Sequence, residues 1–164
     1  MEKIIWIVEG KRENLIDIQR KINAQGGMKA MCILNADVLK KIIEERIDNE
    51  RETQSSPSLI VIDYEMVKGD EELLTTLRMH PKLAGVPLFF TVESKEEAEE
   101  ECYFKGAMVV LEKPVNQSGI IRIERASWQY EVAKNYERIL QKQASELETA
   151  KEIKKSTQKI LAQS

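Results

Sequence analysis

Five short apolar, β-compatible runs recur along the first 115 positions: KIIWIV (3–8), MKAMCIL (28–34), LIVID (59–63), VPLFFT (86–91) and MVVLE (108–112). Each is too short to be a helix, and a stretch of helical periodicity follows each one. After the first run, Leu15, Ile18 and Ile22 fall on one helical face and Gly26-Gly27 ends it. After the second, Asn35-Ala36-Asp37 offers a turn and cap for VLKKIIEERI (38–47). DEELLTTLRMH follows the third and stops at Pro81, and the strongly acidic KEEAEEECYF follows the fourth and closes at Gly106. Connections this long cannot be hairpins, so the alternation predicts an α/β chain, a parallel sheet with helices on both faces.

The character changes after Pro114. Residues 116–164 carry nine Lys/Arg against six Asp/Glu, whereas residues 1–115 carry sixteen against twenty-two, and no Gly or Pro follows Gly119. One unbroken helix from about 118 past 150 is the economical reading. Tyr136, Leu140, Gln143, Leu147 and Ala150, then with a slip Ile153, Thr157 and Ile160, trace a seam near the heptad period. The expected organisation is a globular domain over 1–130 and a C-terminal helical extension over 131–164 that forms a coiled coil with a second chain. Left alone, its apolar stripe would stay wet.

Composition narrows the function classes. With 164 residues, 42% hydrophobic and 32% charged, the chain has material for one folded domain and an appendage. A formal net charge of −3 gives no electrostatic reason for a nucleic-acid or membrane partner, and nothing after residue 115 reads as a helix-turn-helix. The longest apolar runs are strand-sized, far below the roughly 20 residues of a membrane span. The N-terminus does not read as a secretory signal, so the expected location is the cytoplasm. Cys32 and Cys102 are isolated and His80 is the only histidine, which leaves no zinc pattern and two reduced thiols.

In an open α/β sheet, ligands bind beyond the carboxyl ends of the strands. The residues that end these strands are Glu9, Asp63, Thr91 and the pair Lys113-Pro114. Two acids, a hydroxyl and an amine at one sheet edge suit aspartyl-phosphate chemistry, with a carboxylate nucleophile and groups that hold phosphoryl oxygens.

Over residues 3 to about 130 the sequence resembles the response-regulator receiver domain of two-component signalling. KIIWIVEG looks like its first strand, LIVIDYEM its phosphoacceptor strand, Thr91 its switch hydroxyl, and KGAMVVLEKPV its fifth strand with the Lys-Pro pair. The resemblance implies a flavodoxin-like (βα)5 fold with strand order 2-1-3-4-5, the first and last helices on one face and the middle three on the other. It implies Asp63 as phosphoacceptor, Lys113 as its ion-pair partner and phosphate ligand, Thr91 as the hydroxyl that moves onto the phosphoryl group, and a cis Lys113-Pro114 bond. It implies Mg²⁺ held by Glu9, Asp63 and the backbone carbonyl of Glu65. The implied partner is a histidine kinase or phosphotransfer protein, with the C-terminal helix carrying the phosphorelay signal onward. A phosphoacceptor of this kind is not a conventional enzyme; it catalyses at most its own phosphorylation and dephosphorylation.

The sequence departs from that family at four places. The family carries two adjacent acids after strand 1, and here Gly10 follows Glu9, which weakens the expected Mg²⁺ site. The aromatic switch position is Val110. The loop MVKGDE lacks the usual Met-Pro-Gly pattern, and NERETQSSPS (49–58) is an insertion. These departures keep a second reading open, a phosphorylation-independent pseudo-receiver that serves as a dimeric scaffold. A haloacid-dehalogenase-type phosphatase is disfavoured, because Asp63-Tyr64-Glu65 lies on the third strand and no later acid pair follows the fifth.

Overall fold

In the computed structural model, residues 2–47 and 56–163 are described. β1 (Lys3–Val8), α1 (Arg12–Gln25), β2 (Met28–Ile33), α2 (Ala36–Ile42), β3 (Leu59–Asp63), α3 (Tyr64–Val67), α4 (Glu71–Met79), β4 (Leu88–Val92), α5 (Lys95–Phe104), β5 (Val109–Glu112) and α6 (Gln117–Gln163) follow in chain order. The strands form one sheet in the order β2-β1-β3-β4-β5, with every pair parallel. The parallel sheet is the one the alternation predicts, and the strand order is the one the family resemblance implies.

Period-two alternation builds two cores from the same strands. Ile5, Ile7, Leu59, Val61, Phe89 and Leu111 point to one face, where Leu15, Ile18 and Ile22 of α1 and Ile120 and Ile123 of α6 cover them. Trp6, Val8, Ile60, Ile62, Phe90 and Val110 point to the other, against Leu39 of α2, Leu73, Leu74 and Leu77 of α4, and Cys102 of α5. β3 is buried along its whole length, as the uninterrupted LIVID run requires of a strand covered on both sides.

Local chemistry sets the helix starts. Asn35 Oδ1 accepts from the Val38 N–H at 2.9 Å, Asp70 Oδ1 from Leu73 at 3.1 Å, and Asn116 Oδ1 from Gly119 at 2.8 Å. α5 is started differently. Ser94 makes no side-chain cap there, and Glu112 Oε1 at the end of β5 accepts from the Lys95 N–H at 3.1 Å.

Two local features differ from the sequence reading. The helix expected over 38–47 is α-helical only to Ile42 and continues as a π-helical turn over Ile43–Ile47. Leu39, Ile43 and Ile47 are all buried at four-residue spacing, and a wider turn holds residues so spaced on one side better than a 3.6-residue turn does. Directly after β3, the YEMV segment winds into the single turn α3, with Asp63 as its N-cap residue. The expected insertion at 49–58 lies mostly outside the described residues.

The chain divides into two units, Met1–Tyr130 and Glu131–Ser164. The first contains the sheet and both cores. The second is helical through Gln163, and its side chains are almost all exposed. No helix among the described residues is long and apolar enough to cross a membrane.

Candidate functional site

Parallel register brings the strand-end residues together. Asp63, the last residue of β3, is the direct register partner of Thr91 on β4. β1 lies on the other side of β3, and Glu9 follows its last residue. Lys113 follows β5, its N–H held by the Val92 carbonyl at 2.9 Å, and the Lys113-Pro114 peptide is cis as expected.

The Lys113 ammonium joins the two acids. Nζ lies 3.0 Å from Asp63 Oδ2 and 3.1 Å from Glu9 Oε2. All three groups are buried, with side-chain exposures of 8% for Lys113, 10% for Asp63 and 1% for Glu9. Burial alone would lower the Lys113 pKa. The hydrogen bonds and charges of Asp63 and Glu9 outweigh it, so the pKa stands above its ordinary value of 10.5 and the ammonium is fully charged at neutral pH.

The remaining carboxylate oxygens meet backbone donors. Asp63 Oδ1 accepts from the Glu65 N–H at 3.2 Å, and Glu9 Oε1 accepts from the Lys11 N–H at 3.1 Å. Glu9 Oε2 is held by the Lys113 ammonium at 3.1 Å. Thr91 is buried, and its hydroxyl donates at 3.5 Å to the carbonyl of Ile62, one residue before Asp63.

Of the sequence-derived candidates, Glu9, Asp63 and Lys113 thus form one charge-paired cluster, and Thr91 flanks it. The Glu65 side chain is exposed, while its backbone stays beside Asp63. Lys11, Arg12 and Glu13 have exposed side chains, and the β1–α1 loop contributes to the site through the Lys11 main-chain N–H.

Two participants were not anticipated. Glu93 Oε1 lies 3.8 Å from Lys113 Nζ; its position two residues after Thr91, just past the end of β4, is the only sequence signal for it. Tyr64 is fully buried, its ring centroid 5.1 Å from that of Phe90, the neighbour of Thr91. Burial, reinforced by the charge of Glu101, pushes its pKa to about 12. The position where the resemblance implies an aromatic switch holds Val110, a fully buried core residue.

Among the described residues no three His, Cys, Asp or Glu gather to hold a metal, and Gly10 adds no oxygen. Mg²⁺ is nevertheless usually bound by one or two carboxylates plus waters and phosphate oxygens. Glu9 and Asp63 supply two hard oxygen donors, both paired with the Lys113 ammonium, so a cation there would share them with it. These residues fit a weak Mg²⁺ site, one that lacks a third carboxylate. A Cβ at Gly10 has room, its nearest neighbours being Met66 Sδ at 3.5 Å, Met66 Cε at 3.7 Å and the Leu34 carbonyl at 3.8 Å, all ordinary contacts.

No family model matches this sequence, and no curated protein matches it. Solved structures do match its fold. A response regulator receiver domain protein from Clostridium thermocellum aligns with TM-score 0.62 and 15% identity, covering 80% of this chain and 98% of that one. The receiver domain of Francisella response regulator 1452 aligns with TM-score 0.59 and 19% identity over 78% of this chain and 98% of its own. A response regulator from Thermotoga maritima aligns with TM-score 0.62 and 10% identity over 77% and 98%. The chain therefore has the receiver-domain fold.

Proposed function

We propose that residues 1–130 are a signal receiver that accepts a phosphoryl group on Asp63 from a histidine kinase or phosphotransfer protein. The observation that carries this reading is the buried Lys113–Asp63 pair at 3.0 Å, at the carboxyl edge of the sheet with Thr91 in direct register. A carboxylate oxygen of Asp63 attacks the phosphorus of a phosphohistidine. The P–N bond breaks with its electron pair left on nitrogen, and a donor ring protonated at its other nitrogen leaves as neutral imidazole. Lys113 holds one charge against the acceptor and then against a phosphoryl oxygen, and the Thr91 hydroxyl can exchange the Ile62 carbonyl for another. Bound Mg²⁺, held by Glu9, Asp63 and the Glu65 carbonyl, would neutralise part of the phosphoryl charge. The chain is a phosphoacceptor and not a turnover enzyme.

The test is intact-mass measurement after incubation with acetyl phosphate and Mg²⁺. A single phosphoryl adduct that disappears in Asp63→Asn supports the reading, and an unlabelled wild type counts against it.

One observation favours the pseudo-receiver reading. Gly10 follows Glu9 where a second acid would complete the metal-binding set, so the pocket is short of a metal ligand. On that reading no donor labels the wild type and Gly10→Asp restores nothing.

A further inference from the structure

We propose that the 131–163 stretch of α6 pairs with the same stretch of a second copy of this chain as a parallel, unstaggered two-stranded coiled coil. This inference does not depend on Asp63 being phosphorylated.

The stretch exposes a continuous apolar stripe. Val132, Tyr136, Ile139, Leu140, Leu147, Ile153 and Ile160 are between 46% and 67% exposed. On a 3.5-residue repeat, Leu140, Leu147 and Lys154 fall in the a row, and Tyr136, Gln143, Ala150 and Thr157 in the d row. Val132, Ile139, Ile153 and Ile160 then occupy the adjoining g row, with Glu146 as its one charged member. A single heptad register accommodates every apolar residue of the stripe without a slip, because Ile153 and Ile160 widen the seam.

Charge placement selects the occupant and its direction. In a parallel two-fold pair, each g residue faces the e residue five positions on in the other helix. That sets Glu146 against Lys151 of the second copy, twice by symmetry, and Ile139 against Ala144. An antiparallel pair sets g rows against each other, so that Glu146 would meet an isoleucine or a second Glu146. An unstaggered pairing sets Lys154 beside Lys154 of the second copy, a polar layer that fixes register at a cost in stability, whereas a shift of one heptad would bury each ammonium against leucine. Thr157 adds no orphaned donor, because its hydroxyl already donates to the Ile153 carbonyl at 3.0 Å.

The test uses the full chain. Ala133 is an exposed a-row residue near one end of the stretch. Under mild oxidation Ala133→Cys should convert largely to a covalent dimer, well beyond any background from Cys32 and Cys102 in the wild type. In an antiparallel pair those sulfurs would lie about 40 Å apart. By sedimentation equilibrium, Glu146→Lys and Lys151→Glu should each weaken the dimer about fivefold, and the double reversal should restore it to within about twofold of wild type. A monomeric wild type at micromolar concentration, a dimer that does not cross-link through position 133, or single reversals without effect would each overturn the proposal. Dimerisation lost in Leu147→Asp with unchanged helicity would support it.

Discussion

Lys113 and Lys142 carry the same ammonium at opposite extremes of environment. Lys113 is sealed between Glu9 and Asp63 at the end of the sheet, while Lys142 stands in the exposed stretch of α6. In the pocket, position is dictated by cost, because a buried charge without its counter-charge is strongly disfavoured, so three residues far apart in sequence must meet. On the helix a charge costs little wherever it stands, and it carries information only through its place in the repeat. A charge in this chain is therefore a site marker when buried and, on the proposed coiled-coil pairing, a pairing code when exposed.

The sharpest way to break that contrast is to remove each ammonium. Lys113→Met leaves Glu9 and Asp63 as uncompensated buried carboxylates and should lower unfolding free energy in urea by about 3–5 kcal/mol. Lys142→Met should stay within about 0.5 kcal/mol. Equal effects would mean the pocket is wetter than its burial implies.

Alkaline pH is the next largest lever. Tyr64 ionises at about 12 in the folded protein against an ordinary 10.0, so above pH 10 the folded state holds a proton that the unfolded chain has released. Stability should be full below pH 10 and fall by about 3 kcal/mol through pH 12 from this group. The raised pKa of Lys113 acts in the same direction, its contribution being present below 10.5 and lost as pH rises through the folded value. Tyr64→Phe should flatten the first part of the slope in pH-dependent urea melts, and a slope unchanged in that variant would mean the phenol is not held neutral by burial.

Gly10→Asp sharpens the comparison from the other side by adding a charge at the pocket rim. Its Cβ has room beside Met66, so the fold should persist. Mg²⁺ affinity by calorimetry should rise about tenfold or more, or about 1.4 kcal/mol, and acetyl-phosphate labelling should quicken. Unchanged Mg²⁺ affinity would show that Lys113, and not a missing ligand, controls the site. The smallest effect is expected at Asn116. Asn116→Ala removes the acceptor for the Gly119 N–H at the start of α6 and should cost about 1 kcal/mol in the same melts.

Much of this protein was legible in the chain because its signals are local. The apolar runs at 3–8 and 59–63 gave strands with those bounds, Gly26 ends α1, and the uninterrupted LIVID run marked a strand buried along its whole length. Less legible were the π-turn at Ile43–Ile47 and the helical turn after Asp63, where burial of Ile47 and capping by Asp63 override a simple period.

The amino-acid order alone determined the alternation of strand and helix, the burial of β3 on both faces, the acids, hydroxyl and amine at the strand ends, and the long uninterrupted final helix, since each depends on residues within a few turns of one another. The tertiary structure decided what those strand-end groups do to each other. That Lys113 spans Glu9 and Asp63, that Glu93 reaches the same ammonium, that Thr91 faces the Ile62 carbonyl, and that Gly10 opens on Met66 and not on a packed wall are consequences of register between β1, β3, β4 and β5. Register is a property of strands paired across the sheet, and side chains brought together over a hundred residues of separation leave no periodic trace in the sequence between them.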